Sequence, residues 1–355
     1  MSATPASPYL SGLAAGVRPY VPGEQPKDRR YIKLNTNESP FPPAPGVAAA
    51  IAAQAGQLNL YPDPDAAALC AALAAHHGLE AAQVFVGNGS DEVLAFAFQA
   101  FFSGRALCAP DLTYSFYPVY AALYGVDYRE VPVRADFSID PDALLCGEAV
   151  ILANPNAPTS RALPLADIRR MAVHCRDHGR LLLVDEAYAA FGGESAIPLI
   201  ASFDNLLVVR TFSKSHALAG LRVGYALGQP PLIDGLNRIK NCVNSYTVDS
   251  LAQAAAAAAL ADDAYLARCV AAVTATRDRC AARMTALGFT VLPSAANFLF
   301  VRHPAHAGAS LQAALRACGV LVRRFATPRT QDWLRVSIGT DAEMDAVLAA
   351  LAEIL

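Results

Sequence analysis

Short apolar runs recur through the middle of the chain, each followed by a stretch with helical spacing. Val84–Val86 reads as a strand with a helix from Asp91 to Phe102 behind it. Arg105–Ala109 reads as a strand before a helix at Tyr114–Leu123, and Ala149–Ala153 as a strand before a helix at Leu165–His178. Arg180–Val184, Leu206–Arg210 and Arg222–Leu227 are further strands. Runs that stay apolar, rather than alternating with polar residues, suit strands buried on both faces. The pattern therefore predicts an α/β unit whose mostly parallel sheet is sandwiched by helices.

The pattern changes at both ends. The first 45 residues, with RPYVPGEQP and ESPFPPAP, are interrupted by prolines and read as an extended arm with little structure of its own. Residues 247–286 read as one long alanine-rich helix. Phe298–Val301, Val320–Arg323 and Leu334–Ile338 read as strands around a helix at Ala309–Ala317, and a closing helix begins at Asp341. A second, smaller α+β domain is predicted. The expected division is an arm over 1–30 packing with the small domain, a large domain over 31–246 and the small domain over 247–355.

Polar clusters stand at the ends of three predicted strands: Asn154–Thr159, Asp185–Tyr188 and Thr211–Lys214. Asn156, Asp185 and Lys214 are spaced by equal intervals of 29 positions, close to the ~30 residues of one strand–helix–strand return. Ligands of open parallel sheets bind beyond the carboxyl ends of the strands, so the three clusters are expected on one rim. A fourth, Gly87–Glu92, joins a strand to a helix, where glycine and a helix N-terminus favour an anion. It is not the dinucleotide fingerprint, since Glu92 stands where the third glycine would be. A lysine, a carboxylate and an anion cradle together fit pyridoxal 5′-phosphate. The lysine forms a Schiff base with the aldehyde, the carboxylate keeps the ring nitrogen protonated, and nearby cationic charge lowers the pKa of the amine.

Composition narrows the class further. The net charge of −3 comes with no basic block for nucleic acid and no acidic tail. The N-terminus has no charged start and no signal-like apolar core, and the alanine run Ala254–Leu260 is too short to cross a bilayer. A cytoplasmic protein is expected. The eight cysteines are scattered without metal-site spacing and read as small buried thiols. His174 and His178 are four apart, but they sit among charged residues and read as a solvated face.

The segments RPYVPG, LNTNESPFPP, LYPDPD, GNGSDE, LTYSFY, NPNAPTS, VDEAY, TFSKSHALAGLRVG, SAANFLFVR and WLRVSIGT run nearly end to end. In this order they resemble the class II aminotransferases of the aspartate aminotransferase fold, fold type I of the pyridoxal-phosphate enzymes. More narrowly, they resemble histidinol-phosphate aminotransferases. The resemblance implies Lys214 as the Schiff-base lysine and proton shuttle, Asp185 at the ring nitrogen, Tyr188 at the ring hydroxyl and Tyr114 stacked on the ring. Gly89, Ser90, Thr211, Ser213 and Arg222 would surround the phosphate, Asp91 would join the cofactor-binding residues, and Tyr61 would reach the phosphate in the neighbouring subunit of a homodimer. Arg335, helped by Arg323, would take the substrate anion, with Tyr20, Asn37 and Glu38 closing over it. Relatives often carry asparagine directly before Pro-Thr, where this chain has Ala157. Either Asn156 or Asn154 then takes the contact to the ring hydroxyl, or Tyr188 makes it alone. His216 stands where relatives often carry an aromatic. The implied reaction is amino transfer between L-histidinol phosphate and 2-oxoglutarate. Aromatic transamination and threonine-phosphate decarboxylation are the alternatives on the same fold.

Overall fold

The computed structural model describes residues 7–355, so the first six residues of the expected arm lie outside the described residues. The strands in chain order are β1 (Ile32–Leu34), β2 (Val84–Gly87), β3 (Ala106–Pro110), β4 (Asp127–Val131), β5 (Ala149–Ala153), β6 (Leu182–Asp185), β7 (Leu206–Thr211), β8 (Gly224–Leu227), β9 (Thr290–Val291), β10 (Phe298–Arg302), β11 (Val320–Arg324) and β12 (Leu334–Ser337). The helices are α1 (Gly12–Gly16), α2 (Gly46–Gln54), α3 (Ala67–His77), α4 (Gly89–Ala97), α5 (Tyr117–Tyr124), α6 (Leu165–Asp177), α7 (Pro230–Val243), α8 (Ser250–Leu260), α9 (Asp263–Ala286), α10 (Gly308–Ala317) and α11 (Asp341–Ile354).

Seven strands form one sheet in the order β2-β8-β7-β6-β5-β3-β4. Its inner strands carry apolar side chains to both faces, whereas the edge strand β4 is polar and largely exposed. Val150 and Leu152 of β5 pack into one core, and Ile151 between them packs into the other. Leu206 and Val208 of β7 face the first core, and Leu207 and Val209 the second. This is the period-two alternation of a strand with no solvent face. β3, β4, β5, β6 and β7 pair parallel, whereas β8 is antiparallel to both β2 and β7. The cause lies in the β7–β8 connection. It holds a single short helical turn, Ala219–Leu221, and lacks the crossover helix that would return the chain in parallel. Lys214 and Arg222 therefore stay at the same end of the sheet.

The second sheet runs β1-β11-β12-β10-β9, with β1 parallel to β11 and the other neighbours antiparallel. Two expectations change here. The arm contributes a strand: Ile32, Lys33 and Leu34 pair with Val320, Leu321 and Val322, so this piece of the expected large domain belongs to the C-terminal sheet. The expected single helix over 247–286 is two helices, because the Asp262 side chain leaves the helical path to accept a hydrogen bond from Tyr265 N–H. That is the capping role Asp favours over a helix interior. α8 buries Ala252, Ala255, Ala256 and Ala259 in the core of the large sheet, whereas α9 buries Val273, Cys280 and Met284 with the small sheet. The packing thus changes over at Asp262 rather than at 246.

The cysteines are less uniform than expected. Cys108 and Cys146 pair sulfur to sulfur, where the loop before β5 meets β3; Cys242 and Cys318 are exposed, and Cys70, Cys175 and Cys280 are buried free thiols.

Candidate active site

One cavity opens at the carboxyl end of the large sheet. Ser90, Asp91, Tyr114, Ala157, Asp185, Tyr188, Thr211, Ser213, Lys214 and Arg222 all line it. Asp185 ends β6 and forms the floor at 5% exposure. Burial pushes its carboxyl up to about 6, against the opposing pull of hydrogen bonds from the Tyr117 hydroxyl, 2.8 Å from Oδ2, and from Ala187 N–H, 3.2 Å from Oδ1. Tyr117 is fully buried, and the sequence reading had missed it. Its only signal was its closeness in the chain to Tyr114: the expected helix from Tyr114 begins instead at Tyr117, and the two rings meet edge-on at 5.5 Å.

The β7–β8 connection forms one wall. Lys214 Nζ donates to Thr36 O at 3.1 Å and lies 5.9 Å from the centre of the Tyr188 ring. Arg222 sits at φ +55 and donates to Asp91 Oδ2 at 2.9 Å and Ser213 Oγ at 3.4 Å. Thr211 Oγ1 accepts from Ser213 N–H, which fixes the turn. The N-terminus of α4 faces this wall. Gly89 has φ +80, and a Cβ there would stand 2.6 Å from Arg222 Nη2, so only glycine gives the guanidinium this approach. Gly224, the last residue of the TFSKSHALAGLRVG segment, starts β8 directly against the backbone of Gly89 and Ser90. Tyr114 closes the side and donates to Asp91 Oδ1 at 2.8 Å.

Several expected site residues stand elsewhere. Asn156 is turned away from the cavity. Its Nδ2 donates to Leu112 O and Thr159 Oγ1, and its Oδ1 accepts from Thr113. Every polar atom of that amide is engaged in holding its own loop. Asn154 is likewise engaged, with Leu163 N–H and O, and Ala157 faces the cavity instead. Asn37 is not part of a mobile arm: it is 1% exposed and donates to the Tyr188 hydroxyl at 2.9 Å. Glu38 is held by Lys33 at 2.6 Å and by Thr36, outside the cavity lining. Tyr61 does not line its own chain's cavity; it is 81% exposed and stacks on Tyr246. His216 packs on Phe212 and bonds Ser215, and burial lowers its pKa to about 4.

Arg335 and Arg323 sit directly opposite each other on β12 and β11. Arg335 donates to Asn35 O and lies against Phe298 and Phe325, with its Nε buried and unbonded. Burial lowers its pKa. Arg323 donates to Val21 O in the arm, near Tyr20, which stacks on Phe116. Among the described residues neither arginine forms an ion pair. Like charges opposite each other in a sheet repel, and an anion between them would relieve this.

The cavity fits a phosphorylated pyridine aldehyde. Gly89, Ser90, Ser213, Thr211 and Arg222 could hold a phosphate, Tyr114 and Ala187 could flank a ring, and Asp185 could face its nitrogen. Lys214 could reach its aldehyde. The unbonded donor of Arg335 and the exposed edge of the α4 N-terminus are sites that call for anions.

The family model Aminotransferase class I and II matches residues 29–351. The chain is 52% identical to histidinol-phosphate aminotransferase 2 of Thiobacillus denitrificans over 355 residues, covering 99% of each protein. It is 53% identical to histidinol-phosphate aminotransferase 1 of Bordetella parapertussis over 354 residues, covering 98% of this chain and 99% of that protein. Among solved structures, the histidinol-phosphate aminotransferase of Sinorhizobium meliloti in complex with pyridoxal-5′-phosphate superposes with a TM-score of 0.87 at 29% identity, covering 99% of this chain and 98% of that one.

Proposed function

The chain belongs to the class I and II aminotransferase family, and on that premise we propose that it is a histidinol-phosphate aminotransferase. It exchanges the amino group of L-histidinol phosphate with 2-oxoglutarate to give imidazole acetol phosphate and L-glutamate, in histidine biosynthesis. Pyridoxal 5′-phosphate is its cofactor, and when bound it supplies the aldehyde that carries the amino group and the electron sink for the substrate's Cα. The protein's part is binding, orientation and proton movement. Gly89, Ser90, Thr211, Ser213 and Arg222 anchor the phosphate, and Tyr114 holds the ring plane. Asp185, ionised above about pH 6, keeps the ring nitrogen cationic. Lys214 Nζ would be the base that takes the substrate's Cα proton and returns it one position away.

The observation that carries the substrate reading is the facing pair Arg335 and Arg323, with no carboxylate partner among the described residues. A guanidinium pair binds a phosphate or a carboxylate through paired N–H donors, so one receptor serves histidinol phosphate and glutamate in turn. The test is a half-reaction. Holoenzyme without acceptor should lose its aldehyde absorbance on adding histidinol phosphate and regain it with 2-oxoglutarate, and borohydride should fix the cofactor to Lys214. Conversion by phenylalanine but not histidinol phosphate would move the reading to an aromatic aminotransferase. Release of carbon dioxide from phosphothreonine would move it to a decarboxylase.

We also infer a homodimer. Leu58, Leu60, Tyr61, Val243 and Tyr246 are large apolar residues left exposed, and the stacking of Tyr61 on Tyr246 brings their two segments together on the surface, the kind of apolar exposure that marks an interaction site. Tyr61, outside its own chain's cavity, is then free to reach the phosphate in the partner's site. A cytoplasmic location suits a biosynthetic role on free small molecules. Among the described residues no helix is long and apolar enough to cross a membrane.

A further inference from the structure

Tyr188 faces the cavity from one side and is held on the other by a short polar chain with a fixed direction. Asn37 N–H donates to Ser337 Oγ at 2.9 Å, and Ser337 Oγ donates to Asn37 Oδ1 at 2.8 Å. Asn37 Nδ2 donates to the Tyr188 oxygen at 2.9 Å. A fourth bond, from Asn297 Nδ2 to Asn37 O at 3.1 Å, holds the Asn37 backbone in place. Asn37 and Ser337 are each 1% exposed, so water cannot substitute for a lost partner.

The direction of the chain follows from donor and acceptor counts. Ser337 has one proton, and its oxygen already accepts from Asn37 N–H, so the proton needs Asn37 Oδ1. Reversing the amide would point an NH2 group at that proton and leave a buried hydroxyl donor unmatched, a cost the observed arrangement avoids. With Oδ1 committed to Ser337, Asn37 can only donate to Tyr188. The Tyr188 oxygen therefore accepts from behind, and its own proton is directed away from Asn37.

We propose that Ser337 and Asn37 are positioning residues that hold the Tyr188 hydroxyl as a hydrogen-bond donor into the cavity, toward the ring oxygen of the cofactor. The proposal rests on the aminotransferase reading of the site. It assigns Asn37 a task other than substrate binding. It also links two functions to one strand, since Arg335 and Ser337 lie two residues apart on β12: one captures the substrate anion and the other sets the polarity of Tyr188. Asn37 is suited to the place because it sits at φ +56, where Asn and Asp are the side chains that best tolerate left-handed backbone.

The decisive variant is Asn37→Asp, nearly isosteric and tolerant of the same backbone. It presents only acceptors, so it draws the Tyr188 proton back and removes the donor from the cavity. The readout is the pH midpoint of the cofactor's visible absorbance change in the holoenzyme. A donor to the ring oxygen stabilises its anion and favours release of the proton shared with the lysine nitrogen, so losing the donor raises the midpoint. Tyr188→Phe and Asn37→Asp should each raise it by about one pH unit, the size expected for one charge-assisted hydrogen bond. Ser337→Ala should shift it the same way by less. In a Tyr188→Phe background, Asn37→Asp should add little, leaving only the direct effect of its charge. An equal Asn37→Asp shift in both backgrounds, or a Ser337→Ala midpoint indistinguishable from wild type, overturns the proposal. Ser337→Ala alone decides it if Asn37→Asp does not fold. A wild-type protein that shows no visible band and takes no borohydride label at Lys214 instead defeats the aminotransferase reading itself.

Discussion

Replacing Asp185 with asparagine should stabilise the cofactor-free protein while disabling the enzyme, and the two effects have one cause. In the folded chain burial pushes the carboxyl up to about 6, from an ordinary 3.8. Between those values the native state holds a proton that the unfolded chain has released. Stability is therefore fully present below about pH 4 and is lost as pH rises through about 6. A shift of about two units corresponds to about 3 kcal/mol, the cost of keeping an ion on an apolar floor without its cationic partner. Asparagine has no charge to bury but leaves the Tyr117 hydroxyl a poorer acceptor, so the expected net gain at pH 7 is about 1–3 kcal/mol. The assay is urea unfolding of apoprotein at pH 4, 5, 6 and 7, wild type against Asp185→Asn. Subtracting the two curves cancels every other titrating group. The difference should be near zero or against the variant at pH 4 and grow in its favour to pH 7. With cofactor bound the sign reverses, because the carboxylate regains a cation, and activity of the variant should fall by at least about a hundredfold. A difference curve that stays flat from pH 4 to 7 would refute the account of Asp185.

Three further outcomes follow from the same geometry. Tyr117→Phe removes the donor to Asp185 Oδ2 and should raise the Asp185 carboxyl pKa by about one unit, read by carbon NMR of the apoprotein. Gly89→Ala places a Cβ against Arg222 at a backbone angle alanine resists; stability should drop by about 1–2 kcal/mol and cofactor affinity by about tenfold or more, read by cofactor titration. Arg335→Lys keeps one charge but loses the paired donors, so kcat/KM for histidinol phosphate should fall about 30- to 100-fold in steady-state kinetics.

Much of the large unit is legible in the sequence. β5, β6 and β7 are apolar throughout because both faces are covered, and a run of that kind has few other destinations. Asp185 and Lys214 were found for the same reason: polar residues directly after buried strands must sit at the rim. The antiparallel β8 was not found, since strand direction depends on whether the connection contains a helix, and the Phe212–Val223 segment has no periodicity to show that it does not. Asn156 was misplaced because its loop could be aligned one residue either way. Only the partners at Leu112, Thr113 and Thr159 decide which side chain turns inward.

The distinction extends to the whole molecule. Residue type and local spacing determined which segments become strands, which residues carry the charges, and that a lysine, a carboxylate and an anion cradle would meet at one rim. Those properties are set by neighbours close in the chain. Tertiary structure alone decided that Ile32–Leu34 joins the far sheet, that Tyr117 supports Asp185 from beneath, and that Ser337, 300 residues from Asn37, sets the direction of its amide. Such contacts depend on donors and acceptors brought together only when distant segments pack, and nothing in the local pattern encodes the choice of partner.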